Sequence, residues 1–435
     1  MSDWTFKDLE EWDERVIELG KSYGLDWFPI EYETVDYHEM ISTMAYHGMP
    51  VHFHHWSHGK SFEKTHQMYN AGLEGLPYEC IINSSPSIAY LLRENPLYLQ
   101  ILIMCHCVGH SDFFKNNVTF NGTHPDLVMG RFKRARDRVQ SYIEDPSIGI
   151  NDVERVIDAA RAVQMQTDWY GTRRTNSENY DKIVRQLNSD NPPKKKLDLN
   201  KIPLEPDYDI LAFIMEHGTH LTDWERDLIS IVHDEMLYFA PQMRTKMLNE
   251  GFASHIHFKM INDLNLPSRF HLPSIKSHNQ VVCAHQSRLN PYHLGFNLFK
   301  RIERDFGFEQ CLIVRESMND VSAIRTYLDE EMCQELNLFS YSDRKGDLIV
   351  DDVSDDEGWE SVKDAILMNS GISSVPRIYV DDMTKSGTLV LRHEHDGRDL
   401  EISYADEVVK KISILWEDVV KLYTVIEQEP FEFPQ

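Results

Sequence analysis

The chain has 435 residues, 41% of them hydrophobic and 26% charged; this is room for about three domains and the composition of a folded globular protein, not a disordered one. Forty-four Lys and Arg against 71 Asp and Glu leave a net charge of −27, which repels phosphate backbones and anionic lipid and excludes nucleic acid and bare membrane as partners. No apolar run is long enough to cross a bilayer, the start MSDWTFKDLEEWDERV lacks the apolar core of a secretory leader, and six scattered Cys fit a reduced compartment, so the expected location is the cytoplasm.

The first predicted element is an amphipathic helix over 4–22, where Phe6, Leu9, Trp12, Val16 and Leu19 recur at spacings of three and four, with Ser2 or Asp3 as its cap. Helical patterns follow over 60–73, 87–114 and 149–170, the last capped by Asn151 or Asp152. Residues 172–206 are polar, carry four Pro and read as an insertion or linker whose Lys194–Lys196 run is solvated. Helical periodicity resumes over 208–219, 222–262 and 320–340. The acidic stretch DDVSDDEGWE (351–360) then marks a boundary. Beyond it RIYVDD and TLVLRHEH alternate as strands around Lys385-Ser386-Gly387, 404–416 is a helix and 419–427 a strand. The expected fold is mainly α: a large helical N-terminal domain over 1–350 and a small α+β module over 360–435.

Twenty-one His stand out, seven of them between His38 and His66. The sharpest pattern is His106-Cys-Val-Gly-His110. Two His at i and i+4 share one helix face, about 6 Å apart, the spacing with which one helix grips one metal ion. A third ligand is expected from Glu250, on a later helix and followed by small Gly251 and Ala253. This order resembles one large class of zinc peptidases, in which a HExxH helix is completed by a later Glu. The expected cofactor is Zn²⁺ or another transition metal on His106, His110 and Glu250. The resemblance fails at Cys107, which stands where those enzymes carry their general base; it reads as a thiolate ligand or as core. Another base is then required, and Glu79, Asp112, Glu235 and His257 are the candidates.

Two further stretches carry polar residues beside apolar ones. His52-Phe-His54-His55-Trp56-Ser57-His58-Gly59-Lys60 reads as a pocket lining, with His55, Trp56 and Lys60 as candidates, or as a loop packed on the core. Cys107, Asp112 and Asn249 are expected to line the same pocket. His233-Asp234-Glu235 and Gln242 read as groups that orient the ligands or as helix-surface charges. No phosphate-binding loop, dinucleotide fingerprint, CxxC pair or nucleophile elbow is present.

Several long stretches resemble the stage V sporulation protein R (SpoVR) family: HHWSHGKSFE (54–63), GLPYECIINSSPSIAYLL (75–92), HCVGHSDFFKNN (106–117), YFAPQMRTKMLNEGFASHIH (238–257), NPYHLGFNLFKRIE (290–303), VRESMNDVSAIRTYL (314–328) and LVLRHEHDGRDLEISYAD (389–406). The resemblance spans nearly the whole chain. It implies a large helical domain followed by a small one, and a role in spore cortex formation or a stress-linked envelope function. It also implies a PrkA-type serine kinase and a von Willebrand-like protein as partners, and a peptidoglycan-related substrate. The chain departs from the family pattern at Phe252 (for Trp), at His58 (for an aromatic) and at Leu415–Val420. Two functions stay open at this point. One is a metal-dependent hydrolase of an amide or peptide bond. The other is a non-catalytic regulatory or scaffold protein with a degenerate or structural metal site.

Overall fold

The computed structural model describes every residue except 1–3, 72–78, 190–197, 286–288, 345–346 and 435. Ser2, Asp3, Lys194–Lys196 and the Gly75–Tyr78 part of one motif lie outside the described residues. The chain forms two compact units, each drawn from two stretches of sequence: Met1–Arg136 with Pro241–Ser373, and Asp137–Ala240 with Ser374–Gln435.

The first unit opens with α1 (Phe6–Ser22), which starts two residues later than its periodicity suggests. Thr5 caps it in a reciprocal box with Asp8. Then come β1 (Ile30–Val35), α2 (Tyr37–Ala45), α3 (Trp56–Asn70), β2 (Glu79–Ile82) and β3 (Ser87–Leu92). The last overturns the expected helix over 87–114. SIAYLL is a short apolar run that periodicity cannot assign, and Pro96 sets the true helix start. The three strands form a sheet in the order β1-β3-β2, with β1 parallel and β2 antiparallel to the central strand.

From Pro96 runs α4 (Leu97–Asn116), buried along nearly its whole length. Leu99, Ile103 and Cys107 pack with Ala89 and Leu91 of β3. The chain continues through α5 (Val128–Glu144) and the second unit, α6 (Ile150–Val163), α7 (Asn176–Leu187), α8 (Ile210–His217) and α9 (Asp223–Arg244). It re-enters the first unit with α10 (Lys246–Asp263), α11 (Ser268–Val281), α12 (Pro291–Phe306), α13 (Phe308–Ser317), α14 (Asp320–Tyr327) and α15 (Glu330–Glu335). A hairpin of β4 (Phe339–Arg344) and β5 (Asp347–Val353), then α16 (Trp359–Asn369), complete the unit.

The single helical pattern over 222–262 is thus two helices, broken at Thr245 (φ −128°, ψ 17°). The first amides of α10 are satisfied from elsewhere in the fold: Met247 N and Leu248 N donate to the two oxygens of buried Asp320 at 2.9 Å each. The core of this unit gathers Phe113, Phe252, Phe299, Leu248, Ile256, Leu294 and Leu298. Glycines set its closest approaches. A Cβ on Gly251 would lie 2.4 Å from the Gly295 backbone, one on Gly295 2.2 Å from Met247 O, and one on Gly109 2.7 Å from Ala253 Cα. Helix α10 is pressed between α4 and α12 by the absence of side chains at these points.

In the second unit, residues 172–206 are not irregular throughout. They contain α7, opened by a Thr175–Glu178 capping box. Helix α6 starts after Gly149, ahead of the expected caps. The C-terminal stretch builds a four-stranded sheet from β6 (Ile378–Met383), β7 (Leu389–His393), β8 (Val420–Ile426) and β9 (Glu429–Phe433) in sequence order. The crossover α17 (Ile402–Trp416) makes β7 and β8 parallel. The mainly helical expectation holds. What it omits is the N-terminal sheet and the β4–β5 hairpin.

Candidate metal centre

Helix α4 presents His106 and His110 to α10, and the two rings meet edge to face at 4.4 Å. Their Nε2 atoms lie 2.9 Å apart. Glu250 of α10 brings Oε2 to 3.4 Å from His110 Nε2 and 3.7 Å from His106 Nε2. Glu79, on β2, brings Oε1 to 3.7 Å from His106 Nε2. Among the described residues, Glu79, His106 and His110 form a group whose donor atoms all fall within 4.8 Å of one another. Zinc bonds of 2.0–2.1 Å in a tetrahedron hold neighbouring ligand atoms about 3.4 Å apart. The carboxylate-to-imidazole separations are of that order, and the donors are the N and O types that suit a transition ion.

Orientation is imposed from behind. His110 Nδ1 lies 2.9 Å from Asn249 Oδ1. That oxygen only accepts, so His110 carries a hydrogen on Nδ1, and the neutral ring presents its lone pair at Nε2. His106 Nδ1 lies 2.9 Å from His257 Nδ1, and His257 Nε2 lies 2.7 Å from His278 Nδ1 on α11. Tyr292 stands in the first turn of α12, and its ring lies nearly parallel to His106 at 6.4 Å.

The electrostatics separate the two carboxylates. Burial alone would raise both. At Glu250 the facing His106 and His110 outweigh it and hold the carboxyl well below its ordinary range. At Glu79 burial prevails over the same imidazoles and the carboxyl is raised. Burial disfavours the charged form of His110, but Glu250 reverses that and raises it. Burial, with Glu250 and Glu79 adding to it, pushes the Tyr292 hydroxyl far up, so it stays a donor. Burial and neighbouring imidazoles hold His257 well below its ordinary value, and burial first brings His278 to about 4.

The fold therefore brings together Glu79, His106, His110, Asn249, Glu250 and His257. It places other candidates elsewhere. Cys107 is wholly buried against the sheet and burial pushes its thiol far up, so it is core and not a thiolate ligand. Asp112 is wholly buried and pairs with Arg315 Nε at 3.2 Å while accepting from Asp26 N at 2.7 Å; a carboxylate so engaged is no free base. Glu235 belongs to the second unit, beside Arg161. His55 is the N-cap of α3, its Nδ1 facing Ser57, and lies in a separate nest where His52 and Tyr46 each approach His58 at 4.7 Å. Trp56 is half exposed, with Lys60 Nζ 5.7 Å above its ring.

Sequence reasoning missed Tyr292 and His278. Tyr292 sits inside a stretch that carries the family resemblance, NPYHLGF, which marks it as worth testing. His278 stands in the polar-looking KSHNQ of α11, where no spacing signals it.

No solved structure matches the chain, and the likeness to a zinc peptidase rests on the order and spacing of these donors alone. None of the helices is long and apolar enough to cross a membrane, among the described residues. A protein of Escherichia coli (strain K12) described as "Uncharacterized protein YcgB" is 28% identical over 466 aligned positions, covering 95% of this chain and 91% of that protein. The model of the family described as SpoVR like protein matches residues 3–375, so it takes in every member of the cluster. The SpoVR-like C-terminal domain matches residues 376–427, which carry β6, β7, α17 and β8, all of the terminal sheet except β9. The chain belongs to the SpoVR family.

Proposed function

We propose that the first unit is a metal-dependent hydrolase of an amide or peptide bond, with one Zn²⁺ held by His106, His110 and Glu250. The observation that carries this reading is the pair of imidazole Nε2 atoms 2.9 Å apart, one ring held with its hydrogen on Nδ1 by Asn249, with two half-buried carboxylates facing the same point. When bound there, zinc supplies Lewis acidity and lowers the pKa of a coordinated water toward 7. Glu79 stands on a strand, apart from the helical ligands, and takes up the proton of the attacking water before passing it to the leaving amine. This gives Glu79 the role that Cys107 cannot play. Tyr292 keeps its proton and donates a hydrogen bond toward the negative charge that develops on the substrate oxygen. Asn249 and His257 hold the imidazoles in register. The substrate class we assign, a peptidoglycan-related amide, follows the family's link to the spore cortex and envelope, as do a serine kinase and a von Willebrand-like protein as partners.

Elemental analysis tests the centre. Wild-type protein is expected to carry about one zinc per chain, and His106→Ala and Glu250→Ala to carry none. Glu79→Gln is expected to retain zinc and to lose hydrolysis of muropeptides by a factor of 10² or more. Wild-type protein that binds no metal after reconstitution with Zn²⁺, Mn²⁺ or Fe²⁺ would sink the reading.

A further inference from the structure

A chain of imidazoles leads away from the centre. His106 Nδ1 faces His257 Nδ1 at 2.9 Å, and His257 Nε2 faces His278 Nδ1 at 2.7 Å. His278 is buried, its ring centroid 4.7 Å from those of both Phe258 and Phe296, so its position is set by packing. A neutral imidazole has one N–H and one lone pair. The bonds along the chain must then all run the same way, and only two assignments satisfy them.

In the first, His278 Nδ1–H donates to His257 Nε2, His257 Nδ1–H donates to His106 Nδ1, and His106 Nε2–H donates to His110 Nε2. In the second, every ring of the relay is reversed. His106 Nδ1–H donates to His257 Nδ1, His257 Nε2–H donates to His278 Nδ1, and His106 Nε2 is left with a lone pair. His110 is the same in both, because Asn249 Oδ1 can only accept. The first assignment fills the centre with a hydrogen bond. The second opens it to a cation.

We propose that His257 and His278 are positioning residues for the metal ion, forming a relay whose hydrogen-bond direction reverses when the ion binds His106 Nε2. The inference rests on the metal-centre reading above. The exchange balances: the hydrogen on His106 Nε2 leaves to solvent, the two hydrogens within the relay shift toward His106, and one is taken up at His278 Nε2. No ring changes charge. The distant His278 thereby fixes which nitrogen of His106 is free to coordinate.

The experiment measures Zn²⁺ affinity by competition with a chromophoric chelator, and the Co²⁺ absorption band, in the wild type, His278→Asn and His278→Leu. An asparagine oxygen lies near the position of the histidine Nδ1 and preserves the acceptor. His278→Leu is expected to weaken zinc binding 10–100-fold and alter the Co²⁺ band, and His278→Asn to restore most of the affinity. Equal affinities in all three proteins, or equal losses in both variants, overturn the relay while leaving the metal centre standing. Wild-type protein without measurable zinc affinity removes the metal centre itself and the relay with it. Should the leucine variant not fold, ¹⁵N spectra of histidine-labelled wild type decide: His278 is expected to change from Nδ1–H to Nε2–H on zinc addition, and an unchanged tautomer overturns the relay.

Discussion

Asn249 shows how much one neutral side chain decides. Its oxygen, 2.9 Å from His110 Nδ1, settles which nitrogen of that ring faces the centre. Asn249→Leu is expected to lower zinc affinity 10–100-fold while the fold persists, measurable by the same chelator competition. Buried Asp112 and Arg315 play a different part. Their 3.2 Å pair lies two residues beyond His110, in the first unit. Arg315→Ala leaves a buried carboxylate uncompensated and should cost about 3–5 kcal/mol in urea unfolding, whereas replacing both residues by apolar ones of similar size should cost less. His233 and Asp209 form the corresponding pair of the second unit at 2.9 Å. Burial disfavours the His233 cation, but Asp209 and then Asp234 raise it from 6.5 to about 9, while Asp209 is lowered from 3.8 against its own burial. The pair's stabilisation is therefore complete below the unfolded histidine value of 6.5 and lost as pH rises through about 9; on the acid side it is lost as Asp209 protonates. Wild-type protein should lose stability between these values in urea titrations followed at several pH values, and His233→Gln should flatten that slope.

At the scale of elements, the centre depends on how closely helices approach. Glu250 reaches the histidine helix because Gly109 lets α4 press on Ala253 of α10, while Gly251 and Gly295 let α10 and α12 touch backbone to backbone. Gly251→Ala puts a methyl 2.4 Å from the Gly295 backbone, so α10 must shift. The expected cost is about 1–3 kcal/mol or more, together with loss of bound zinc in elemental analysis. Gly59→Ala is the matched control. The space around Gly59 is open, and alanine within α3 should raise stability by about 0.5–1 kcal/mol. The same close packing explains which sequence signals were readable. The His106–His110 spacing is intrahelical and needs no partner to be seen. The small residues after Glu250 signal close approach without naming what approaches. Glu79 sits on a short strand whose alternation is too brief to stand out, and β3 reads as helix until Pro96 is weighed.

Across the whole molecule, charge and chain order act together. A net charge of −27 makes each unit self-repelling at low ionic strength. The melting temperature is expected to rise by a few degrees between about 10 mM and 300 mM NaCl, as screening reduces that repulsion; calorimetry checks this directly. Neither unit is one continuous stretch of sequence. Local periodicity registers composition along the chain, so it suggests a boundary near 351, whereas the units divide between Ser373 and Ser374, and it had no means of finding that 137–240 belongs with the C-terminal sheet.

The sequence by itself determined the mainly helical class, the acidic surface, the family, and the histidine pair with Glu250 as its expected companion. These are properties of composition, of spacing within one element, or of long motifs. The tertiary structure alone decided the rest. It brought Glu79 from a strand, Tyr292 from α12 and His278 from α11 to helices α4 and α10, and sent Cys107 into the core and Asp112 to Arg315. It also put Glu235 in the other unit. The physical reason is the same throughout. Metal-ligand geometry, burial and tautomer are set by atoms within about 3–4 Å of one another, and the residues concerned are separated by up to 213 positions of chain, from Glu79 to Tyr292.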